Sequence, residues 1–285
     1  MLIFIIPVIH PEKCSNYRKV SNILNNTLFS VCNQLDPDFR VIVVCNKKPD
    51  LTINNDKIEI IEVNFPLPPS PTCLDDRHSH VYRDKGSKVL VGLLNAAKYK
   101  PTHYMVMDHD DFVSNKLSGY IKNNPKQNGW FFSEGYVYSN ITKIIALKKN
   151  FQSYCGTSHI IRSDLLTTHD NIQTNPSYNI IQNNIDNYYL LKILGNHNDH
   201  LKYFAEKGTP LSPLPFIGSI WNLDTGDNCS LMLFNNTRSG PIWGADISRN
   251  ISNEFGLPFS KRTIKENIIL TLYRMKNIAG RLIKH

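Results

Sequence analysis

The stretch HYMVMDHDDFVS, His103 to Ser114, sets an apolar run against three carboxylates within four positions, Asp108, Asp110 and Asp111. Its first half reads as a buried strand, and in an open α/β sheet ligands bind beyond the carboxyl ends of the strands. Side chains alternate along a strand, so Asp108 and Asp110 converge on one side while His109 faces the other. Two carboxylates so placed repel unless one is protonated or a cation joins them, and two oxygen ligands with open positions suit Mg²⁺ or Mn²⁺. The same four residues can also serve simply to start a loop or cap a helix, both of which favour aspartate.

Outward from that strand the first half of the chain alternates. LIFIIPVI reads as a strand, and NYRKVSNILNNTLFSVCNQ spaces Val20, Ile23, Leu24, Leu28 and Val31 as a helical stripe. FRVIVVCN and KIEIIEVN read as two further strands, and KVLVGLLNAAKY as a helix. A β-α-β-β opening predicts a mostly parallel sheet with right-handed crossovers. The prolines of FPLPPSPTCLDDRHSHVYRDKGS argue for an irregular loop there. Beyond residue 115 the pattern loosens: GWFFSEGYVYS and ITKIIALKK read as strands, YCGTSHIIRSDLL as a strand entering a helix, NIIQNNIDNYYLLKILG as one helix ended by Gly195, and HLKYFAE as a strand.

With 285 residues and 41% hydrophobic content the chain is globular. No apolar run reaches the roughly 20 residues needed to cross a bilayer, and MLIFIIPVIHP lacks the basic start and cleavage site of a leader. Six cysteines without a C-x-x-C pair indicate neither a zinc knuckle nor a disulfide framework, and a reducing cytoplasm fits them. The net charge of +8 is concentrated after Ser260, where seven Lys or Arg face one acid, Glu266. A nearly neutral body argues against nucleic acid as a partner.

The segments IIPVIHPEKCSNYRKVSNILNNTLFSVCNQLDPDFRVIVVCN and DKGSKVLVGLLNAAKYKPTHYMVMDHDDFVS resemble glycosyltransferase family 2 and related nucleotide-sugar transferases of the GT-A fold. The likeness runs well over residues 1–115 and loosely over 150–230. It implies an α/β, GT-A architecture, a Rossmann-like mixed sheet flanked by helices, with a C-terminal helical extension. It divides the chain into a nucleotide-sugar-binding half (1–115), an acceptor-binding half of the same domain (116–240) and a basic amphipathic extension (241–285).

By that resemblance Asp108 and Asp110 hold Mn²⁺ or Mg²⁺ on the diphosphate of a nucleotide sugar, with UDP forms favoured over GDP forms, and Asp108 also lies near the ribose. Pro7 follows the first strand as in the family. Asn46 stands where the family often carries a base-reading aspartate, with Asp75 and Asp76 as substitutes, and Arg83 and Lys88 add positive charge near the phosphates or base. His200 or His197 is a third metal ligand, with Asp224 and Asp227 of NLDTGDNCS as rivals. His159 and Trp221 face the acceptor, a glycan or lipid-linked molecule, through a segment and a ring suited to it; Trp130 and Trp243 are the other stacking candidates.

Inverting members place an acid near the start of a helix like NNIDNYYLLKILG. Here Asn183 and Asn184 occupy the acidic places, which leaves Asp186 as the base, or a retaining transfer that needs none. A non-catalytic nucleotide- or glycan-binding descendant is the alternative. A sugar-phosphate nucleotidyltransferase would want a Gly- and Arg-rich loop after the first strand, which IPVIHPEKCSNYRK lacks.

On a helical wheel Ile264, Ile268, Leu272, Met275, Ala279 and Leu282 share one sector, with Ile269 and Leu270 off it and the basic residues outside. Residues 260–285 therefore read as a peripheral contact on the inner face of the cell membrane, or as a stripe packed on the body or on a second subunit.

Overall fold

The computed structural model describes residues 1–69, 74–166, 172–223, 225, 244–257 and 262–282. Its main sheet has seven strands in the order β10-β6-β9-β4-β1-β2-β3. β1 (Leu2–Pro7) runs at the centre, parallel to β2 (Phe39–Cys45) and β4 (His103–Val106), and β2 pairs in parallel with β3 (Ile58–Glu62). β9 (His159–Arg162) is antiparallel to both β4 and β6 (Gly129–Phe131), and β10 (Ser212–Pro213) closes that edge. The expected α/β class, a Rossmann-like mixed sheet flanked by helices, is thus the fold observed.

Alternation along β1 feeds two cores. Leu2, Phe4 and Ile6 pack with Val41 and Val43 under α1 (Tyr17–Cys32), whose stripe of Val20, Leu24, Leu28 and Val31 is fully buried, with Ile23 at its margin. Ile3 and Ile5 pack with Ile42 and Val44 under α2 (Leu74–Ala96), through Val89, Leu90, Leu93 and Leu94. A strand covered on both faces reads as a continuous apolar run, which is how β1 reads. Asn16 caps α1 by accepting from Lys19 N–H at 3.2 Å.

α2 corrects the expected loop over residues 65–87. The prolines at 66, 68, 69 and 71 all precede Leu74, so nothing in the following 23 residues breaks a helix. Gly86 therefore sits inside α2 rather than leading it. A Cβ there would strike the carbonyl oxygen of Leu190.

The single helix expected over 179–195 is two. α4 (Tyr178–Asn184) ends at an extended Ile185, and a π-helix (Tyr189–Leu194) follows. Asp186 Oδ1 accepts from Tyr189 N–H at 2.9 Å, a local bond that starts a new helix instead of continuing the old one. HLKYFAE is likewise a helix, α5 (His200–Glu206), because its buried residues, His200 and Phe204, are four apart and share one helical face.

A second sheet has the order β12-β8-β7-β11-β5. β7 (Glu134–Ser139) pairs with β8 (Ile144–Lys149) and with β11 (Ser219–Leu223), which meets β5 (Phe112–Val113), just after the acidic cluster. β12 (Ala245–Asp246) covers β8. α3 (Leu117–Asn123) and α6 (Arg249–Phe255) lie nearby, the latter tied back by Glu254 to Ser114 (2.7 Å) and Lys116 (2.8 Å). The expected C-terminal extension is α7 (Ile264–Leu282), started by a reciprocal cap in which Thr263 and Glu266 satisfy each other's backbone N–H. Among the described residues no helix is long and apolar enough to cross a membrane.

His103, at the start of β4, is wholly buried against Trp130, donating Nε2–H to Gln127 O at 2.9 Å. Burial lowers its pKa to about 4. Between that value and about 6.5, the unfolded value, only the unfolded chain binds the extra proton. Stability should therefore fall as pH drops through this window, by about 1.4 kcal/mol per pH unit from this group. Urea unfolding of the wild type and His103→Gln at neutral and mildly acid pH checks this: the variant should lose one proton from the slope, and an unchanged slope would acquit His103.

Candidate active site

β4 delivers the acids where β1 ends. Met107 N–H donates to Ile5 O at 3.0 Å just past the last paired residue, so Asp108 stands beside the carboxyl end of the central strand. Asp108 accepts Lys85 Nζ at 2.5 Å from α2. Its backbone N–H donates to Thr157 Oγ1 at 2.9 Å. Gly156 makes room for the pair, because a Cβ there would lie 2.7 Å from Asp108 Oδ2 and 3.1 Å from Lys85 Nζ.

The three acids have separate environments. Burial pushes the Asp108 carboxyl up, but the Lys85 ammonium outweighs it and holds the group below the usual carboxylate range. Asp110, 3% exposed, accepts Thr225 Oγ1 at 2.8 Å, and burial together with the charge of Asp108 raises its pKa despite His109. Asp111, 1% exposed, is pushed well up by burial and by Asp110 and Asp108. It accepts Thr157 Oγ1 (2.6 Å), Cys155 Sγ (3.3 Å) and Asn222 N–H (2.9 Å). Asp111 thus fixes the turn to β11 and to the loop before β9, leaving Asp108 and Asp110 at the sheet edge.

Lys85, and the anchoring role of Asp111 within the visible cluster, are what the sequence does not reveal. Asp84 and Lys88 are four apart on α2, the spacing of an intrahelical ion pair, and they form one: Lys88, fully buried, donates to Asp84 Oδ2 (2.7 Å) and to Val8 O (2.8 Å). Burial lowers its pKa. Arg83 donates to Gln182 Oε1 (2.6 Å) and Asn187 Oδ1 (3.0 Å), bracing α2 against the α4 end. Both cations expected near the phosphates are therefore engaged in holding elements together, and among the described residues it is Lys85 that pairs with Asp108.

Pro7 closes β1, and Asn46 follows β2. Asn46 Nδ2 donates to Phe65 O at 2.9 Å, while its Oδ1 is buried with no hydrogen-bond partner among the described residues. His200 is buried, and its Nε2–H donates to Ile193 O at 2.7 Å. Its ring lies 4.7 Å from that of His159, which is 6.1 Å from that of His197. These three histidines line a cavity of about 20 Å³ with Lys85 and Gly156. That volume holds about one water. Burial lowers all three pKa values, to about 4 for His200 and about 3 for His197, so the rings are neutral at pH 7.

Among the described residues no group of three His, Cys, Asp or Glu is arranged to hold a metal, so His200 is not brought to Asp108 and Asp110 as a ready third ligand. The acids themselves suit a hard cation, since the Asp110 carboxyl is raised by burial and also by the charge of Asp108, and a cation offsets both. Mg²⁺ commonly takes one or two carboxylates and completes its shell with phosphate and water.

Asp186 is exposed at the π-helix start, where it caps Tyr189. Trp221, half-buried on β11, packs against the core under α1, and Trp130 is buried against Tyr120 and His103. Asp75 and Asp76 fall in α2, with side chains outside the described set, and Asp224, Gly226, Asp227 and Trp243 lie outside the described residues.

No protein-family model matches this chain, and no curated protein matches it. Among solved structures it is similar to the crystal structure of S. aureus TarS 1-349. The TM-score is 0.40 and the identity 12%, over 78% of this chain and 60% of that one, so the chain spans less than two thirds of that structure.

Proposed function

We propose that this chain is a metal-dependent glycosyltransferase of the GT-A kind. It moves a sugar from a nucleotide-diphosphate donor, a UDP form in preference to a GDP form, to a glycan or lipid-linked acceptor in bacterial surface polysaccharide synthesis. The observation that carries the reading is the Lys85–Asp108 ion pair at the carboxyl edge of the parallel strands, with Asp110 close enough to feel the charge of Asp108 and with Pro7 and Asn46 at the ends of β1 and β2.

In this reading Asp108 and Asp110 supply two oxygens to Mn²⁺ or Mg²⁺, and Asn46 Oδ1 accepts an N–H of the base. Lys85 orients Asp108 and adds a positive charge beside the diphosphate. The bound cation offsets the negative charge that develops on the diphosphate as the sugar bond breaks. His159 and Trp221 belong to the acceptor side. The test is thermal melting with Mn²⁺ and a panel of nucleotide sugars: a UDP or GDP sugar bound only by the folded protein raises its stability. A flat response to every nucleotide overturns the proposal.

Asp186 is the proposed base. Asparagine caps a helix as well as aspartate does but takes no proton, so Asp186→Asn should leave melting unchanged. The same variant should lower kcat by about 10²–10⁴. An unaltered kcat would make Asp186 a cap alone and point to a retaining transfer.

A binding protein without activity is the second reading, because the neighbouring Asn184 is an exposed amide whose Nδ2 donates to Ile180 O at 2.8 Å and offers no proton acceptor. Slow hydrolysis of the donor in the same samples separates enzyme from binder.

A further inference from the structure

α7 carries apolar residues on two faces, and among the described residues only one of them is covered. Leu270 is 3% exposed and packs on Ile144 of β8, while Arg262 forms an ion pair with Asp246 of β12. The wheel's main stripe turns the other way: Ile264 is 82% exposed, Ile268 56%, Leu272 60% and Met275 62%. These four recur at the spacing of a single helical face, a row about 16 Å long. The two residues that fell off the stripe in the sequence, Ile269 and Leu270, include the one that docks the helix. The stripe from Ile264 to Met275 therefore does not hold α7 to the body; its last two members, Ala279 and Leu282, have side chains outside the described set.

Charge decides what covers it. Between Lys261 and Lys284 the chain has one acid and seven Lys or Arg, of which Arg262 is paired with Asp246 of the body, and Lys265 is exposed one position from Ile264. Two copies of this helix face to face would bring these cations together. One row of four side chains also falls short of the ~800 Å² per partner typical of a stable interface. An anionic lipid surface matches both properties, since it takes apolar side chains below the headgroups and attracts basic residues at their level. We propose that the outer face of α7 binds an anionic membrane surface. The inference stands independently of the transferase reading.

The test is sedimentation of the full chain with vesicles of phosphatidylglycerol and phosphatidylcholine, and with vesicles of phosphatidylcholine alone. Binding is expected to the anionic vesicles only, and salt should release it. Ile268→Asp with Leu272→Asp should abolish it without lowering the melting temperature, since both side chains are exposed. Lys265→Ala should weaken it about fivefold, the share of one basic residue at a lipid surface. Binding to neither vesicle, equal binding to both, or binding untouched by the double substitution overturns the proposal. A dimer that the double substitution dissolves, with no vesicle binding, assigns the face to a second copy and also overturns it.

Discussion

Asp110→Asn should abolish the Mn²⁺-dependent stabilisation by a nucleotide sugar and lower transfer by about 10²–10³, the cost of losing one electrostatic partner of a developing charge. The same substitution should leave the ligand-free protein as stable as before, or more so. Asp110 is a buried carboxylate whose pKa is raised by burial and by the charge of Asp108, so a neutral amide relieves a repulsion the fold otherwise tolerates. Asparagine also keeps an oxygen for the Thr225 hydroxyl, which donates to Asp110 Oδ2 at 2.8 Å. Function lost while stability is kept or gained marks a residue retained for its chemistry. Melting curves with and without Mn²⁺ and donor, beside a transfer assay, read both effects. If Asp110→Asn keeps the full metal-dependent shift, the acids are structural and the proposed site falls.

Lys88→Ala should act the opposite way and destabilise strongly. Lys88 is wholly buried, and it gives hydrogen bonds to the Asp84 carboxylate and to the carbonyl of Val8, just past the central strand. Truncation leaves Asp84, only 13% exposed, as a buried charge without its cation. Breaking such a pair from one side costs about 3–5 kcal/mol. That is a large part of the ~5–15 kcal/mol by which domains are stable. Replacing both partners, Lys88→Met with Asp84→Leu, should recover most of the loss, because no uncompensated charge remains. Urea unfolding of the single and double variants measures it. A single-variant loss below ~1 kcal/mol would mean the pair is screened as at a surface.

The core of the fold was legible because it obeys simple periods. β1, β2 and α1 follow the apolar pattern of the chain, and buried Val20, Leu24, Leu28 and Val31 are the stripe the spacing shows. The N-terminal half of α2 was hidden by prolines that end just before it, and the break at Ile185 by a side-chain cap that no apolar period records. At the site the acids were visible in sequence, but their cation was not. Lys85 and Lys88 look alike until the (i, i+4) partner of Lys88, Asp84, is counted against it. The anchoring role of Asp111 was hidden because its three donors, Cys155, Thr157 and Asn222, are far away in the chain.

That last fact bears on how the protein is made. Asp111 is anchored by residues 46 and 111 positions downstream, Thr157 and Asn222. Contacts of such separation are slow to close, because the chain entropy between them must be lost first. Synthesis runs from the N-terminus, so β1, α1 and β2 can pair while Asn222 is not yet translated. A nascent chain of 285 residues carries Asp111 through 111 further positions before Asn222 can close that clasp.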